Sequence, residues 1–348
     1  MIKPPKLMPG DTVATISLSW GGAHTFPHRY AAGKQQLQDT FGLQVVESRY
    51  ALRDAAWLSR NPQARAEDLM QAVADPTIRA IISTIGGDDS IRILPYLDLR
   101  VIQANPKIFM GYSDTTITHF ACFKAGLVSF YGPAILAGFA ENGGIFSYTE
   151  ASVRRTLFSS EPIGALSPNT DGWTVEFLDW GQPELQSQRR ALRPSRPWRW
   201  LQGQGVVSGP LIGGCLEVLD WLRGTPFWPH QTSWQNAILF LETSEEAPSP
   251  TYVGRVLRTF AAIGMLSQLS AILVGRPGGT IPEEQYSAYD ETIQQVVATE
   301  YGLTELPIVT NMDFGHTDPM MVLPYGLQAQ VDCEQQTITI LEAAVAER

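Results

Sequence analysis

The sequence predicts an α/β fold, with an N-terminal doubly wound (flavodoxin-like) parallel sheet and a C-terminal α/β domain with a mixed sheet. In the first half, short apolar runs alternate with segments of helical spacing, which is typical of parallel βαβ units. After an irregular region the alternation resumes, and the chain ends in two alternating segments that predict a hairpin. At 348 residues the chain is long enough for two hydrophobic cores.

Strand and helix signals define the first half. Strands are predicted at residues 12–17, 43–46, 80–85, 107–110 and 128–131, with helices between them. The clearest helix begins with Asn61 as its N-cap and Pro62 at its first position, and runs to about Ala74. Ligands of doubly wound sheets bind beyond the carboxyl ends of the strands. The Gly-Gly pair at 86–87 and the Gly-Tyr-Ser stretch at 111–113 both follow predicted strands.

The regular pattern stops between residues 160 and 205, where Pro, Gly, Trp, Gln and Arg dominate. We interpret this region as an interdomain connection with some strand content. The predicted elements after it are a short one at 210–212, helices at 216–222, 249–264 and 286–301, strands at 237–241, 271–274 and 308–310, and a hairpin of 327–331 with 338–340. We therefore expect an N-terminal domain (1–160), a connecting region (161–205) and a C-terminal domain (206–348).

Composition limits the possible partners. The net charge of -10 argues against nucleic acid and against an anionic membrane surface, because both need clustered Lys and Arg. No apolar run reaches the ~18 residues of a membrane-spanning helix, and no apolar segment follows the first lysines as in a signal peptide. The three cysteines, Cys122, Cys215 and Cys333, lack metal-ligand spacing, so we expect free thiols in a reducing cytoplasm and no metal or other cofactor.

Residues 107–116 carry the strongest chemical signal. An apolar run predicts a buried strand, which ends in Gly-Tyr-Ser-Asp and continues into helical spacing that stops at Gly126. A serine on a sharp strand-to-helix turn has an exposed hydroxyl, and the following helix N-terminus offers free N–H groups to an oxyanion. This predicts Ser113 as a nucleophile. Thr115 stands where Gly-x-Ser-x-Gly has its second glycine, so the usual hydrolase elbow is absent.

A serine nucleophile needs a general base, because its hydroxyl is a poor nucleophile at neutral pH. The histidines of the chain are His24, His28, His119, His230 and His316. His119 follows Ser113 by six helical residues, about 9 Å along the axis, and is interpreted as a helix-packing residue. His316 lies in a loop after a strand, and the sequence alone ranks it only slightly above the other loop histidines. An unperturbed imidazole has a pKa of about 6.5, which is where we expect the rate to rise with pH.

Five segments resemble, in order, motifs of the LD-carboxypeptidase family of serine peptidases, and together they span nearly the whole chain. They are Leu-Met-Pro-Gly-Asp-Thr-Val-Ala at 7–14, Ile-Gly-Gly-Asp-Asp-Ser at 85–90, Gly-Tyr-Ser-Asp-Thr-Thr at 111–116, Leu-Phe-Leu-Glu at 239–242 and Phe-Gly-His-Thr-Asp-Pro at 314–319. The segment at 85–90 resembles the microcin-immunity branch more than the muropeptide carboxypeptidases, which have an Arg-Gly-Gly-Tyr-Gly pattern.

The resemblance implies a catalytic triad of Ser113 as nucleophile, His316 as base and Glu242 as the group that orients the base. Without the resemblance, a carboxylate that closes an apolar strand is usually a solvated edge residue. We interpret the neighbouring Glu245 and Glu246 as solvated residues.

The resemblance also implies that the loop at 86–87 approaches the nucleophile. The backbone amides of Gly86 and Asp114 are then the expected oxyanion donors, and the Asp114 side chain is expected to be a helix N-terminal carboxylate. The Gly-Gly pair could instead be a phosphate loop, but no Walker or dinucleotide pattern surrounds it.

Three residues are expected to contact substrate: Gly87, Trp180 and Cys215. Cys215 stands where the family often has Asn. The irregular region holds four tryptophans, at positions 173, 180, 198 and 200, and most are expected to pack under the long loop. Trp180, beside Gly181, is the one predicted to stack on a nucleobase, because the microcin-immunity branch uses a loop aromatic residue in this way.

The resemblance implies a cytoplasmic, homodimeric serine peptidase or amidase that needs no metal. Its expected substrate is a small peptide or peptidyl-nucleotide, either the peptidyl–nucleotide amide of a microcin-like toxin or the LD-bond of a muropeptide. A non-catalytic cleft-type binding protein remains an alternative, in which Ser113 only hydrogen-bonds a ligand.

Overall fold

The computed structural model describes all 348 residues and contains two sheets. The first half supplies β1 (Thr12–Ile16), β2 (Gln44–Glu47), β3 (Ile78–Ser83), β4 (Ile108–Gly111) and β5 (Phe130–Tyr131). These five strands are parallel and lie in the order β2-β1-β3-β4-β5, which is the flavodoxin-like order and confirms the predicted doubly wound sheet. β3 ends two residues earlier than predicted, because the chain turns out of the sheet where Ser83 Oγ donates to the Ile85 carbonyl.

Helices connect these strands and continue into the second half. They are α1 (Gly22–Thr25), α2 (Pro27–Phe41), α3 (Ala55–Arg60), α4 (Pro62–Ala74), α5 (Leu99–Ala104), α6 (Thr116–Lys124), α7 (Ser147–Leu157), α8 (Leu216–Leu222), α9 (Pro250–Ala262) and α10 (Tyr286–Gln294). Pro62 is at the first turn of α4, as predicted. A π-helical segment, Gln295–Glu300, extends α10 to the end predicted for it.

Both faces of the first sheet are buried. Along β4, Ile108 and Met110 pack into the large core that also contains the second sheet. Phe109, between them, packs into a smaller core with residues of α4, α5 and α6. Side chains alternate across a strand, so a strand that is apolar at every position has helices or another sheet on each side.

The second half supplies β6 (Gly164–Ala165), β7 (Arg199–Gln202), β8 (Val206–Cys215), β9 (Ile238–Glu242), β10 (Ala271–Gly275), β11 (Ile308–Met312), β12 (Leu323–Pro324), β13 (Gln328–Asp332) and β14 (Thr337–Ile340). All except β12 form one sheet in the order β6-β14-β13-β8-β9-β10-β11-β7. Its central strands β8 to β11 are parallel and its outer pairs antiparallel, so the mixed sheet and the β13–β14 hairpin are confirmed.

β12 crosses from the second half to the first sheet, where it pairs antiparallel with β5. This strand was not among the elements predicted from the sequence. It has only two residues, and its partner lies almost two hundred positions earlier in the chain. Its pairing brings the segment after β11 against the carboxyl edge of the first sheet.

The connecting region contains β6, β7 and a short 3-10 helix, Pro183–Ser187. Trp173 and Trp198 are buried there, as expected, whereas Trp180 and Trp200 are partly buried. The division of the chain at residues 160 and 205 remains a prediction. No helix is both long and apolar enough to cross a membrane.

Candidate active site

The site lies where the carboxyl ends of the two sets of parallel strands meet. The first sheet contributes the turn after β4, which holds Ser113, and Tyr131 at the end of β5. The second sheet contributes Glu242 at the end of β9 and His316 in the loop after β11. Carboxyl ends of neighbouring parallel strands share one edge, so residues far apart in sequence come together there.

Ser113 sits on a strained turn. Its φ is 61°, in the left-handed region that non-glycine residues rarely adopt. The Thr115 hydroxyl donates to the Tyr112 carbonyl over 2.6 Å, and the Thr116 hydroxyl donates to the Ser113 carbonyl over 2.7 Å. These two hydrogen bonds stabilise the turn. Thr115, which stands where the hydrolase elbow has glycine, therefore contributes one of them through its side chain. Ser113 Oγ makes no hydrogen bond within the protein.

The Gly86 loop lies against this turn. A Cβ built on Gly86 would lie 2.9 Å from Ser113 Cβ and 3.0 Å from its Oγ, so only glycine permits the approach. The same Cβ would lie 3.4 Å from the Asp114 amide nitrogen, so Gly86 and Asp114, the two residues predicted to supply oxyanion donors, are close neighbours. Gly87 follows at an exposed position of the loop.

The Asp114 carboxylate holds the end of the Gly86 loop by hydrogen bonds to its backbone. It is buried and accepts the backbone N–H groups of Asp89, over 3.1 Å, and Ser90, over 2.8 Å. Those amides begin a neighbouring 3-10 helix, Ser90–Tyr96. Asp114 is therefore a helix N-terminal carboxylate, as predicted, but it serves a different helix from the one it precedes.

Glu242 holds His316 through a short contact. Glu242 Oε2 lies 2.6 Å from His316 Nδ1, and both side chains are almost fully buried. Gly315 makes room for the pair, because a Cβ on it would lie 2.6 Å from Glu242 Cβ, and its φ is 94°. Tyr112 packs against the imidazole with ring centroids 4.8 Å apart.

Tyr131 links the two halves of the site, and sequence analysis missed it. Its hydroxyl accepts the Ser113 backbone N–H over 3.1 Å and donates to Glu242 Oε1. A buried hydroxyl with two such partners couples the position of the Ser113 turn to that of the Glu242 carboxylate. The only sequence signal was its place at the end of a strand next to the one that precedes Ser113.

Glu245 was expected to be solvated, and its side chain is 73% exposed. One of its oxygens nevertheless lies 3.1 Å from His316 Nε2, so the imidazole faces a carboxylate at each nitrogen. Burial alone would lower the pKa of His316, but the charges of Glu242 and Glu245 outweigh burial and raise it to about 10. The hydrogen bond to His316 lowers the pKa of Glu245 to about 2.

His119 is a packing residue, as interpreted from the sequence. It is fully buried, and its nitrogens lie 2.9 Å from Ser129 Oγ and 2.9 Å from the Gly111 carbonyl oxygen. Its ring stacks on Tyr325 at 4.7 Å. Burial lowers the pKa of His119 to about 3, so the ring is neutral.

The predicted substrate contacts lie in different surroundings. Cys215 is buried and opposite Glu242 in the β8–β9 register, and its thiol lies 3.5 Å from a Glu217 oxygen. Trp180 lies on the wall of a small cavity that Asp318, two residues after His316, also lines. The Arg29 guanidinium lies 4.3 Å from the centre of the Trp180 ring, so one face of the indole is covered.

Comparison with known proteins identifies the family. The model of the LD-carboxypeptidase N-terminal domain matches residues 13–132, and that of the LD-carboxypeptidase C-terminal domain matches residues 208–331. The chain belongs to the LD-carboxypeptidase family. Members of this family hydrolyse peptide bonds, so this LD-carboxypeptidase relative is a hydrolase.

Individual relatives extend the similarity over nearly the whole chain. The microcin C7 self-immunity protein MccF of Escherichia coli is 29% identical, with coverage of 96% of this chain and 94% of that protein. The murein tetrapeptide carboxypeptidase of Pseudomonas aeruginosa is 25% identical, with coverage of 82% and 81%. A solved structure of an MccF-like protein from Streptococcus pneumoniae in complex with AMP has a TM-score of 0.84 at 31% identity and covers 95% of this chain and 98% of that one.

Proposed function

We propose that this LD-carboxypeptidase relative is a serine peptidase or amidase whose catalytic triad is Ser113, His316 and Glu242. The observation that carries the proposal is the hydrogen-bonded chain from the strained Ser113 turn through Tyr131 and Glu242 to His316. It joins a serine whose hydroxyl has no partner to a histidine oriented by a buried carboxylate, which are the parts that acyl transfer needs.

In the proposed mechanism, Ser113 Oγ attacks the substrate carbonyl while His316 Nε2 takes the hydroxyl proton. Glu242 holds Nδ1–H and stabilises the imidazolium that forms. The backbone N–H groups of Gly86 and Asp114 stabilise the oxyanion. His316 returns the proton to the leaving nitrogen, and water then hydrolyses the acyl-enzyme. Nε2 must be free to accept the proton, so the contact with Glu245 opens during the cycle.

The substrate that we propose is a peptidyl-nucleotide amide of the microcin type. The chain is similar to MccF, whose structures include a complex with aspartyl sulfamoyl adenosine, and to the MccF-like protein solved with AMP. The cavity beside the His316 loop presents an indole, Trp180, which offers a surface for base stacking. The cytoplasmic location that the sequence predicts and the homodimer that the family resemblance implies belong to this proposal.

The second candidate is a muropeptide LD-carboxypeptidase, which the similarity to the murein tetrapeptide carboxypeptidase favours. Turnover of peptidyl-sulfamoyl-adenosines should be compared with that of tetrapeptides containing lysine or diaminopimelate. A higher kcat/KM on the adenosine compounds supports our proposal, whereas a preference for the tetrapeptides favours the second candidate. Failure of a serine-directed phosphonate to label the protein would favour the non-catalytic binding protein.

Trp180→Ala should weaken kcat/KM for the adenosine-bearing amides by about 5- to 100-fold, because base–aromatic stacking is worth about 1–3 kcal/mol. Hydrolysis of a plain tetrapeptide should barely change, and that substrate is the internal control. Steady-state kinetics on both substrates measure the difference. Equal losses on the two would make Trp180 a structural residue, and no loss on either would place it outside the site.

Gly86→Ala should lower kcat by about 100-fold, because the added Cβ would displace the nucleophile or the oxyanion donor. Gly224→Ala is the matched control, since nothing lies within 4 Å of a Cβ at that position. Kinetics and thermal denaturation of both variants check the result. Unchanged turnover in Gly86→Ala would remove this loop from the proposed oxyanion site.

The pH profile should also respond to Glu245. Only neutral imidazole accepts a proton, so a raised pKa of His316 means that kcat/KM rises with pH through a midpoint above 6.5, toward 10. Glu245→Gln removes one of the charges responsible, so the midpoint should fall and activity at pH 7 should increase. Exposed Glu246→Gln is the control. A midpoint that stays in place or rises in Glu245→Gln contradicts the proposal.

A further inference from the structure

Tyr131 is the one side chain that hydrogen-bonds both to Ser113 and to Glu242. It closes β5 and is 1% exposed. The Ser113 backbone N–H can only donate, so the phenol oxygen accepts it, and the single phenol proton is left for Glu242 Oε1. Burial and the charge of Glu242 hold the pKa of Tyr131 well above its usual range, so the hydroxyl keeps the proton that it donates.

The Glu242 carboxylate depends on this hydroxyl because it has only one other partner. Glu242 is fully buried, its Oε1 accepts from Tyr131, and its Oε2 lies 2.6 Å from His316 Nδ1. A buried charge is stabilised by the groups that donate hydrogen bonds to it. The hydrogen bond from Tyr131 therefore fixes the rotation of the carboxylate and compensates part of its charge, which the imidazole would otherwise meet alone.

Other titratable side chains face these groups from the surrounding elements. They are Tyr112, His119, Cys215, Glu217, Glu245 and Tyr325. Burial raises the pKa of the two tyrosines and the cysteine and lowers that of His119 to about 3, so these four are neutral at neutral pH. Asp318, two residues after His316, is paired with Arg190. None of them hydrogen-bonds to Tyr131, so removing its hydroxyl leaves their charges in place.

We infer that Tyr131 is a positioning residue for the proposed reaction, which holds the Glu242 carboxylate toward His316 and weakens the hold of that carboxylate on the imidazolium proton. The inference rests on the proposed function and adds to it a residue that touches neither the substrate nor the reacting atoms. The same hydroxyl also occupies the Ser113 backbone N–H. That amide is therefore not an oxyanion donor, and the Gly86 and Asp114 amides remain the proposed ones.

Tyr131→Phe removes the hydroxyl and keeps the ring, which packs on Phe240 with centroids 5.5 Å apart. We expect kcat to fall about 10- to 100-fold, the effect of one hydrogen bond to a charged group. KM should change less than about twofold, because the hydroxyl does not reach the substrate. The midpoint of the pH profile should rise, because a less compensated Glu242 carboxylate holds the imidazolium proton more strongly. This shift is opposite in sign to the one expected of Glu242→Gln.

An NMR titration of the His316 ring makes the test independent of turnover. The ring signals of Tyr131→Phe should titrate at a higher pH than those of the unmodified protein. Tyr30→Phe is the matched control, because Tyr30 is 5% exposed and its hydroxyl lies 2.7 Å from the Thr15 hydroxyl and donates to the Glu47 carboxylate over 3.2 Å. The control should lose stability, measured by thermal denaturation, and change neither kcat nor the His316 titration.

A double-mutant cycle shows whether Tyr131 acts through Glu242. In the Glu242→Gln background, Tyr131→Phe should cost less than about threefold in kcat, because the carboxylate that it positions is already absent. Equal losses in the two backgrounds, or a His316 titration that stays in place or moves to lower pH in Tyr131→Phe, would overturn the inference and leave the proposed triad standing. Near-normal turnover in Ser113→Ala would instead refute the proposed function, and the His316 titration would still decide the role of Tyr131.

Discussion

Ser113→Ala should reduce turnover by about 10⁴- to 10⁶-fold while the protein stays folded. Removing the nucleophile of a serine triad leaves only the contribution of the oxyanion donors and substrate binding. Stability should change little, because Ser113 Oγ makes no hydrogen bond and the backbone bonds to Tyr131 and Thr116 survive the substitution. Single-turnover kinetics and thermal denaturation measure the two quantities, and labelling by a serine-directed phosphonate should disappear.

Ser113→Gly separates the chemistry from the backbone strain. Glycine adopts a φ of 61° without the penalty that alanine keeps, so this variant should be about 1 kcal/mol more stable than Ser113→Ala. Both variants should be equally inactive. Near-normal turnover in either one would exclude Ser113 as the nucleophile, whatever the stabilities.

Local sequence signals were enough to predict the five parallel strands of the first sheet. Apolar runs followed by helical spacing define β1 to β5, and the strand order follows from the rules for parallel α/β sheets. β12 lay beyond such signals, because two residues carry no periodicity and their pairing with β5 is set by the path of the whole second half. The ends of β1 to β5 were predicted to within two residues, whereas β8 extends four residues before and three residues after the short element predicted at 210–212.

For the candidate site, local sequence signals predicted the Ser113 turn but not the other residues. The Ser113 turn follows from a strand that ends in Gly-Tyr-Ser-Asp at the start of a helix, whereas the pairing of Glu242 with His316 was available only through the family resemblance. Tyr131 and Glu245 were missed as site residues. Their contacts join segments more than seventy positions apart, and a tyrosine at a strand end or a glutamate in a loop has no distinctive local pattern.

Glu242→Gln should lower kcat by about 10⁴-fold with little change in the shape of the site. The amide keeps the size of the carboxylate but cannot stabilise the imidazolium or fix the productive tautomer of His316. The same substitution removes the carboxylate that contributes more than Glu245 to the raised pKa of His316. The midpoint of the remaining activity should therefore move to lower pH. A residue that only fills space would not shift the pH profile.

Glu217→Gln is the matched control for this test. Glu217, in the first turn of α8, is also a buried carboxylate. It accepts hydrogen bonds from the backbone N–H and the hydroxyl of Ser244, just after β9, and it makes no hydrogen bond to His316. Its loss should reduce stability, because the Ser244 amide and hydroxyl lose a charged partner, and should leave the midpoint of the pH profile in place. If Glu242→Gln keeps activity within tenfold of the unmodified protein, or if the two variants shift the profile equally, Glu242 does not orient the base. The large loss together with the lower midpoint, in Glu242→Gln alone, is the combination that only a carboxylate acting through the imidazole produces.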